Sequence, residues 1–109
     1  MKLYIYIMSD IFGYIKVGIS KCPENRIKQL QTGHPSKLIL LFEEEFNCNR
    51  KHLIKIEKEI HKTLRRTCIS SRSEWFRITK DQLEGVKNTI IWHRIRYEED
   101  KLAFNSLFK

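Results

Sequence analysis

The chain has 109 residues, of which 41% are hydrophobic and 31% charged. This length and balance predict one soluble globular domain and exclude a disordered tail. Lysine and arginine number 21 against 13 acidic residues, which gives a net charge of +8. Such a charge favours a polyanionic partner, nucleic acid above all, and a basic surface kept for solubility is the alternative.

The three cysteines, at positions 22, 48 and 68, are odd in number and widely spaced. They form neither a disulfide framework nor a zinc-ligand pattern, and they fit a reducing compartment. The sequence shows no signal-peptide pattern and no run of 18 apolar residues. We therefore expect a soluble, intracellular protein that does not contact a membrane.

The first twenty residues predict a β-hairpin. Residues 2–8 and 14–20 are rich in β-branched and aromatic side chains, and Gly13 lies in the turn between them. Alternation places six apolar side chains on one face, where they can be buried together: Leu3, Ile5, Ile7, Ile15, Val17 and Ile19. The other face carries Tyr4, Tyr6, Tyr14, Lys16 and Ser20.

Helices and strands then alternate along the chain. Pro23 suits the first turn of a helix that ends at Gly33, and residues 37–46 predict a third strand. Asn49 can cap a helix that extends to about Arg66.

The C-terminal third predicts one more strand and one more helix. After a loop, residues 74–78 are expected to be extended. A capping box of Thr79 and Gln82 begins a helix that runs to about Tyr97, and the amphipathic residues 98–109 have no assigned position. The order β-β-α-β-α-β-α predicts an α+β fold with a mainly antiparallel sheet.

Two polar side chains interrupt the apolar side of the helix at 49–66. On a helical wheel with Ile56 at zero, Glu57 and His61 fall at about 100° and about 140°, within the arc of apolar residues. A carboxylate there costs free energy unless it is paired or binds a cation. Glu57 is therefore a candidate metal ligand or general base, and a structural Glu57–His61 pair one turn apart is the alternative.

Three other groups of residues are candidates for function. Arg26, with Lys28 nearby, lies near a helix N-terminus, where it could bind a phosphate or simply be solvated. The tyrosines of the hairpin could stack a base or transfer a proton, or be half-buried under a helix. The two large rings of Trp75 and Phe76 predict that both residues lie in the core. The role of Glu74 is open.

Together these motifs resemble the GIY-YIG nuclease superfamily. Tyr4-Ile5-Tyr6 resembles its first motif and Lys16-Val17-Gly18 its second, and Arg26 follows at a fitting distance. The segment IEKEIHK, with Glu57 and His61, resembles the helix that carries the metal-binding glutamate. The variant motifs and the closing EWF resemble the branch of phages and large DNA viruses that is named for a bacteriophage T5 reading frame and for the meiotically up-regulated gene 113 family.

The resemblance covers about residues 3–78 and implies a small three-stranded antiparallel sheet flanked by helices. It divides the chain into a nuclease domain, 1–78, and a C-terminal helical extension, 79–109, packed on the same domain. A viral protein of this kind would act in the cytoplasm or nucleus of a host cell. The implied activity is Mg²⁺- or Mn²⁺-dependent hydrolysis of DNA phosphodiester bonds.

The resemblance also implies roles for individual residues. Tyr6 would position or deprotonate the attacking water, Arg26 would stabilise the phosphorane and Glu57 would hold the metal ion. His61 would orient Glu57 or touch the leaving group. The residues expected to bind DNA are Lys16, Arg26 and Lys28.

Two departures from the family pattern leave an alternative open. Lys16 occupies the slot of the second-motif tyrosine, for which Tyr14 could substitute, and the region of the late asparagine holds Glu74-Trp75-Phe76. The alternative is a catalytically impaired nucleic-acid-binding module. An interaction domain that forms a weak homodimer through its last helix is a third hypothesis, and that helix carries Ile90, Ile91, Trp92 and Tyr97.

Overall fold

The computed structural model describes residues 2–107, so the outer limits of the predicted domain ranges, at residues 1 and 109, lie outside it. Within that range the chain forms five strands and three helices. In chain order these are β1 (Lys2–Ser9), β2 (Tyr14–Ser20), α1 (Pro23–Thr32), β3 (Ile39–Asn47), α2 (Arg50–Thr67), β4 (Ser70–Arg72), β5 (Trp75–Arg77) and α3 (Lys80–Leu107). The predicted α+β class and the opening hairpin are confirmed.

The described strands form one antiparallel sheet in the order β3-β1-β2-β5-β4. The expectation of three strands was therefore wrong, because β4 and β5 add a short hairpin beside β2. The segment of β4, Ser70–Arg72, is short and polar, and it becomes a strand by pairing with β5, not through any propensity of its own.

The main core lies between one face of the sheet and helices α2 and α3. The predicted apolar face is confirmed, since Leu3, Ile5, Ile7, Ile15 and Val17 are buried and Ile19 packs against them. The residues that cover this face are Leu53, Ile56, Ile60 and Leu64 of α2 and Ile90 of α3. Burial of each such aliphatic side chain stabilises the fold by about 1.5–3 kcal/mol.

A smaller apolar cluster lies on the opposite face, under α1. Tyr6, Met8 and Leu38 are buried there, with Ile27 and Leu30 of α1 packed against them. Helix α1 covers only part of this face. Tyr14 and Lys16 therefore stay partly exposed.

The predicted caps of α2 and α3 are both confirmed. The side chain of Asn49 accepts a hydrogen bond from the backbone N–H of His52 at 2.9 Å. Thr79 and Gln82 form the reciprocal capping box, with distances of 3.1 Å and 2.8 Å.

Helix α3 continues through the segment with no assigned position to Leu107, and an ion pair of Arg94 with Glu44 ties it to β3 at 2.5 Å. Ile90, one of the four residues considered for a dimer surface, is fully buried in the main core. Among residues 2–107, no helix combines the length and the apolar character needed to cross a membrane.

Candidate active site

Within the described residues, one edge of β2 is free over most of its length, and helix α2 approaches the strand there. Strand β2 pairs with β5 only at Tyr14 and Ile15, so the edge beyond them has no strand partner in the described chain. His61 of α2 is buried and lies 2.8 Å through Nε2 from the carbonyl oxygen of Val17. Because a carbonyl can only accept, Nε2 carries the proton and donates it to this bond. The hydrogen bond fastens α2 to β2 at this edge.

Glu57 stands one turn before His61 on α2 and is half-buried. Burial raises the pKa of its carboxyl above the usual 4.5, His61 and Lys16 lower this pKa, and Glu74 raises it. Within residues 2–107, no group forms a hydrogen bond with this carboxylate. The wheel prediction is confirmed, and the carboxylate stays open to a cation at the free edge.

Tyr6 reaches the same edge by lying across the neighbouring strand. It is opposite Gly18 in the register, and its ring occupies the space where a side chain at position 18 would stand. Burial raises the pKa of the Tyr6 hydroxyl above its usual 10, and the nearby guanidinium of Arg26 partly offsets this rise. Glycine in the second motif thus lets the phenol of the first motif cross β2.

Arg26 enters the site from the first turn of α1. Its backbone N–H donates to the carbonyl of Cys22 at 3.1 Å and closes the turn that begins at Pro23. The guanidinium is exposed, and its Nη1 lies 3.4 Å from Oε1 of Gln29. It also lies close enough to Tyr6 to lower the pKa of that hydroxyl.

Lys16 and Glu74 form a close ion pair beside these groups, with 2.6 Å between Nζ and Oε2. The Lys16 side chain is 14% exposed and that of Glu74 is 54% exposed. The hydrogen bond and the charge of Lys16 hold the pKa of the Glu74 carboxyl below its usual value. The pair forms the rim of the site where β5 begins.

The T5orf172 domain matches residues 3–91, which are most of the chain. The chain belongs to the T5orf172 domain family. That family is related to the GIY-YIG-like nucleases, so the predicted relationship to this superfamily is confirmed at that level. No curated protein and no solved structure matches the chain.

Membership makes this T5orf172 domain a nuclease-like or DNA-binding domain. The match runs past residue 78 into the first half of α3, the half that contributes Leu83, Val86 and Ile90 to the main core. The division of the chain at residue 78 stays a prediction.

The T5orf172 domain brings five of the predicted site residues together at the free edge of β2: Tyr6, Lys16, Arg26, Glu57 and His61. Two lie elsewhere. The Tyr14 hydroxyl is 3.2 Å from Oγ of Ser70, and the guanidinium of Arg72 covers its ring. Lys28 is exposed and lies about 200° around α1 from Arg26. The roles of all seven stay predictions.

A metal ion in this T5orf172 domain would have few protein ligands. Among residues 2–107, no group of three or more His, Cys, Asp or Glu side chains is arranged to hold one. Mg²⁺ commonly binds through one or two carboxylates together with substrate phosphates. The Glu57 carboxylate, open and without a hydrogen bond, fits such a site, and the metal dependence stays a prediction.

Sequence reasoning missed the structural part that two positions play in the T5orf172 domain. Glu74, for which the sequence indicates no role, pairs with Lys16 at the rim of the site. Gly18, which the sequence marks only as part of a motif, leaves the space that the ring of Tyr6 occupies. The position of Glu74, directly before two large rings that anchor β5, was the one available signal.

Proposed function

We propose that this domain is a Mg²⁺- or Mn²⁺-dependent endonuclease that hydrolyses DNA phosphodiester bonds, of the phage and meiotically up-regulated gene 113 branch. The supporting observation is the meeting of Glu57, Arg26 and Tyr6 at the free edge of β2. These groups come from α2, α1 and β1, and Arg26 and Glu57 both lie close enough to Tyr6 to change the pKa of its hydroxyl. The net charge of +8 favours the polyanionic substrate.

The cationic side chains would bind the reacting phosphate. The guanidinium of Arg26 presents several N–H donors and a delocalised charge, which suits the extra negative charge of a phosphorane. The ammonium of Lys16 has three donors, of which Glu74 takes one. The remaining two can bind phosphate oxygens.

Tyr6 would position the attacking water by donating a hydrogen bond. Its hydroxyl has a pKa above 10, so at neutral pH the phenol keeps its proton. This favours orientation of the water over its deprotonation. The buried ring cannot swing away, so the hydroxyl stays fixed relative to Arg26.

Glu57 would hold the metal ion, which supplies polarisation of the phosphate and stabilisation of the leaving oxygen when it is bound. His61 would act on the position of this carboxylate. Its hydrogen bond to Val17 fixes α2 against β2, one turn from Glu57. Its proximity also favours the ionised carboxylate that a cation requires.

Nicking of supercoiled plasmid in Mg²⁺ or Mn²⁺ tests this proposal. Wild type should nick, and Glu57→Ala and Arg26→Ala should each lower the rate by about 100-fold or more. Glu59→Ala, an exposed position on the same helix, is the matched control and should leave the rate unchanged. Inactive wild type, or equal nicking by wild type, Glu57→Ala and Arg26→Ala, refutes the enzyme proposal.

A non-catalytic DNA-binding module is the second candidate function. The observation that favours it is Lys16 in the slot of a family tyrosine, held by Glu74 as a cation. This candidate expects salt-sensitive DNA binding that survives Glu57→Ala, with no nicking in either metal. Loss of binding in Glu57→Ala would contradict it.

A further inference from the structure

A second feature lies on the same sheet face as Lys16, beyond the part that α1 covers. It is a cleft of about 500 Å³, within the usual range for ligand sites. Its floor is formed by Tyr14 of β2, Arg72 of β4, and Trp75 and Arg77 of β5. The β1–β2 turn forms one wall and residues 34–36 form the other.

Aromatic rings line the floor and one wall of this cleft. Phe12 in the turn is 64% exposed although it is a large apolar side chain. Trp75 packs against the ring of His34, with 5.2 Å between centroids. Tyr14 presents its ring under Arg72, whose Cζ lies 5.4 Å from the ring centroid. Exposed aromatic rings such as that of Phe12 bind unpaired bases by stacking, whatever the sequence.

The charge of the cleft is positive. Arg72 and Arg77 have no ion-pair partner in the described part of the chain, so both guanidinium groups are available to a phosphate. Asp10, an acidic residue in the lining of the cleft, stabilises the β1–β2 turn. Its Oδ1 accepts the backbone N–H groups of Phe12 and Tyr14, at 2.8 Å and 3.0 Å.

The cleft adjoins the candidate active site. Tyr14 precedes Lys16 by two residues on the same strand face, a distance of about 7 Å. Trp75 directly follows Glu74, the partner of Lys16. A nucleotide held in the cleft would therefore neighbour the phosphate bound at Lys16 and Arg26.

Resting on the proposed function, we propose that this cleft holds an unpaired nucleotide of DNA, its base stacked on Phe12 and against Trp75 and its phosphate bound by Arg72 and Arg77. The preferred substrate is then DNA with a single-stranded segment next to the cleavage point, such as a flap, gap or fork. Duplex DNA cannot place a base in the cleft without unpairing it.

Fluorescence anisotropy in EDTA tests the cleft without requiring cleavage. The probes are a labelled single-stranded oligonucleotide, a flapped duplex and a plain duplex at one ionic strength. Phe12→Ala and Arg72→Ala should weaken binding of the single-stranded and flapped probes about fivefold or more, and binding of the plain duplex less than about twofold.

Matched controls separate the cleft from general effects. Ile11→Ala changes a neighbouring side chain that is 62% exposed and does not line the cleft, and Arg66→Ala removes a charge from α2. Neither should alter the ratio between probes. Equal losses on all three probes, or no loss, would overturn the proposal, as would tighter binding of single-stranded RNA of the same sequence.

The two proposals can fail separately. If wild type nicks plasmid but Phe12→Ala does not selectively weaken single-strand binding, the endonuclease proposal is supported and the cleft proposal is refuted. Selective weakening of single-strand binding supports the cleft whatever the nicking assay shows, because the anisotropy is measured without metal.

Discussion

Replacing Gly18 by alanine tests how Tyr6 reaches the free edge of β2. A Cβ atom at this position would lie 2.9 Å from Cε2 of Tyr6 and closer still to its Cζ and hydroxyl oxygen. The tyrosine is only 2% exposed, so its ring has no free space to enter. Overpacking of a buried site by one methyl group costs about 1–3 kcal/mol. Gly18→Ala should therefore lower the free energy of unfolding by that amount and also displace the hydroxyl from Arg26.

Because of this clash, the cost of Gly18→Ala should depend strongly on the residue at position 6. In a Tyr6→Leu background the phenol is absent, so the same Gly18→Ala change should cost less than about 1 kcal/mol. Urea unfolding of the four variants, followed by circular dichroism and extrapolated linearly, gives the coupling free energy. Gly85→Ala is the control, since a Cβ there meets nothing within 4 Å, and it should stabilise α3 by about 0.5–1 kcal/mol.

An equal cost of Gly18→Ala in both backgrounds would refute the reasoning. The penalty would then come from the backbone of β2, and the passage of Tyr6 over Gly18 would not explain the glycine of the second motif.

Two further predictions follow from the shifted carboxyl pKa values. The folded chain binds the Glu57 proton more tightly than the unfolded chain, because the folded pKa lies above 4.5, so this group lowers stability as pH rises from 4.5 through the folded pKa. Glu57→Gln should therefore raise the free energy of unfolding at about pH 7, and the gain should vanish at about pH 3.5. Urea unfolding at both values measures this, with Glu59→Gln as control, and a gain independent of pH would contradict it. Lys16→Gln should let the pKa of Glu74 rise back toward 4.5 in a carboxyl NMR titration, and it should weaken DNA binding. Lys28→Gln should leave the titration unchanged, and an unaltered Glu74 in Lys16→Gln would show that the ion pair does not form in solution.

Features that depend on local periodicity were predictable from the sequence. The alternation in residues 2–8 and 14–20 determined which side chains enter the core, because successive residues of a strand face opposite sides. The wheel for α2 likewise placed Glu57 and His61 toward the core. Burial of His61 and half-burial of Glu57 confirm it.

Features without a periodic pattern or a turn signal were not predictable. Strand β4 has three polar residues, and its turn to β5 contains Ser73 at a φ of 55°, a conformation that turn signals such as glycine usually mark. The contact of Lys16 with Glu74 joins residues 58 positions apart. Neither carries a periodic pattern, so both required the tertiary structure.

The pair of Lys16 and Glu74 changes where proton transfer can occur in the proposed reaction. A tyrosine in the slot of Lys16 could act as a base on the sheet, but Lys16 donates its hydrogen bond to Glu74 as a cation. Tyr6 keeps its proton at neutral pH, because burial raises its pKa. Glu57 holds the metal ion in this reaction, so the proton acceptor on α2 is the Nδ1 lone pair that the Nε2 bond to Val17 leaves available when His61 is neutral. In the proposed reaction, Lys16 and Arg26 bind the phosphate. The residue that accepts the proton then lies on α2 and not on the sheet.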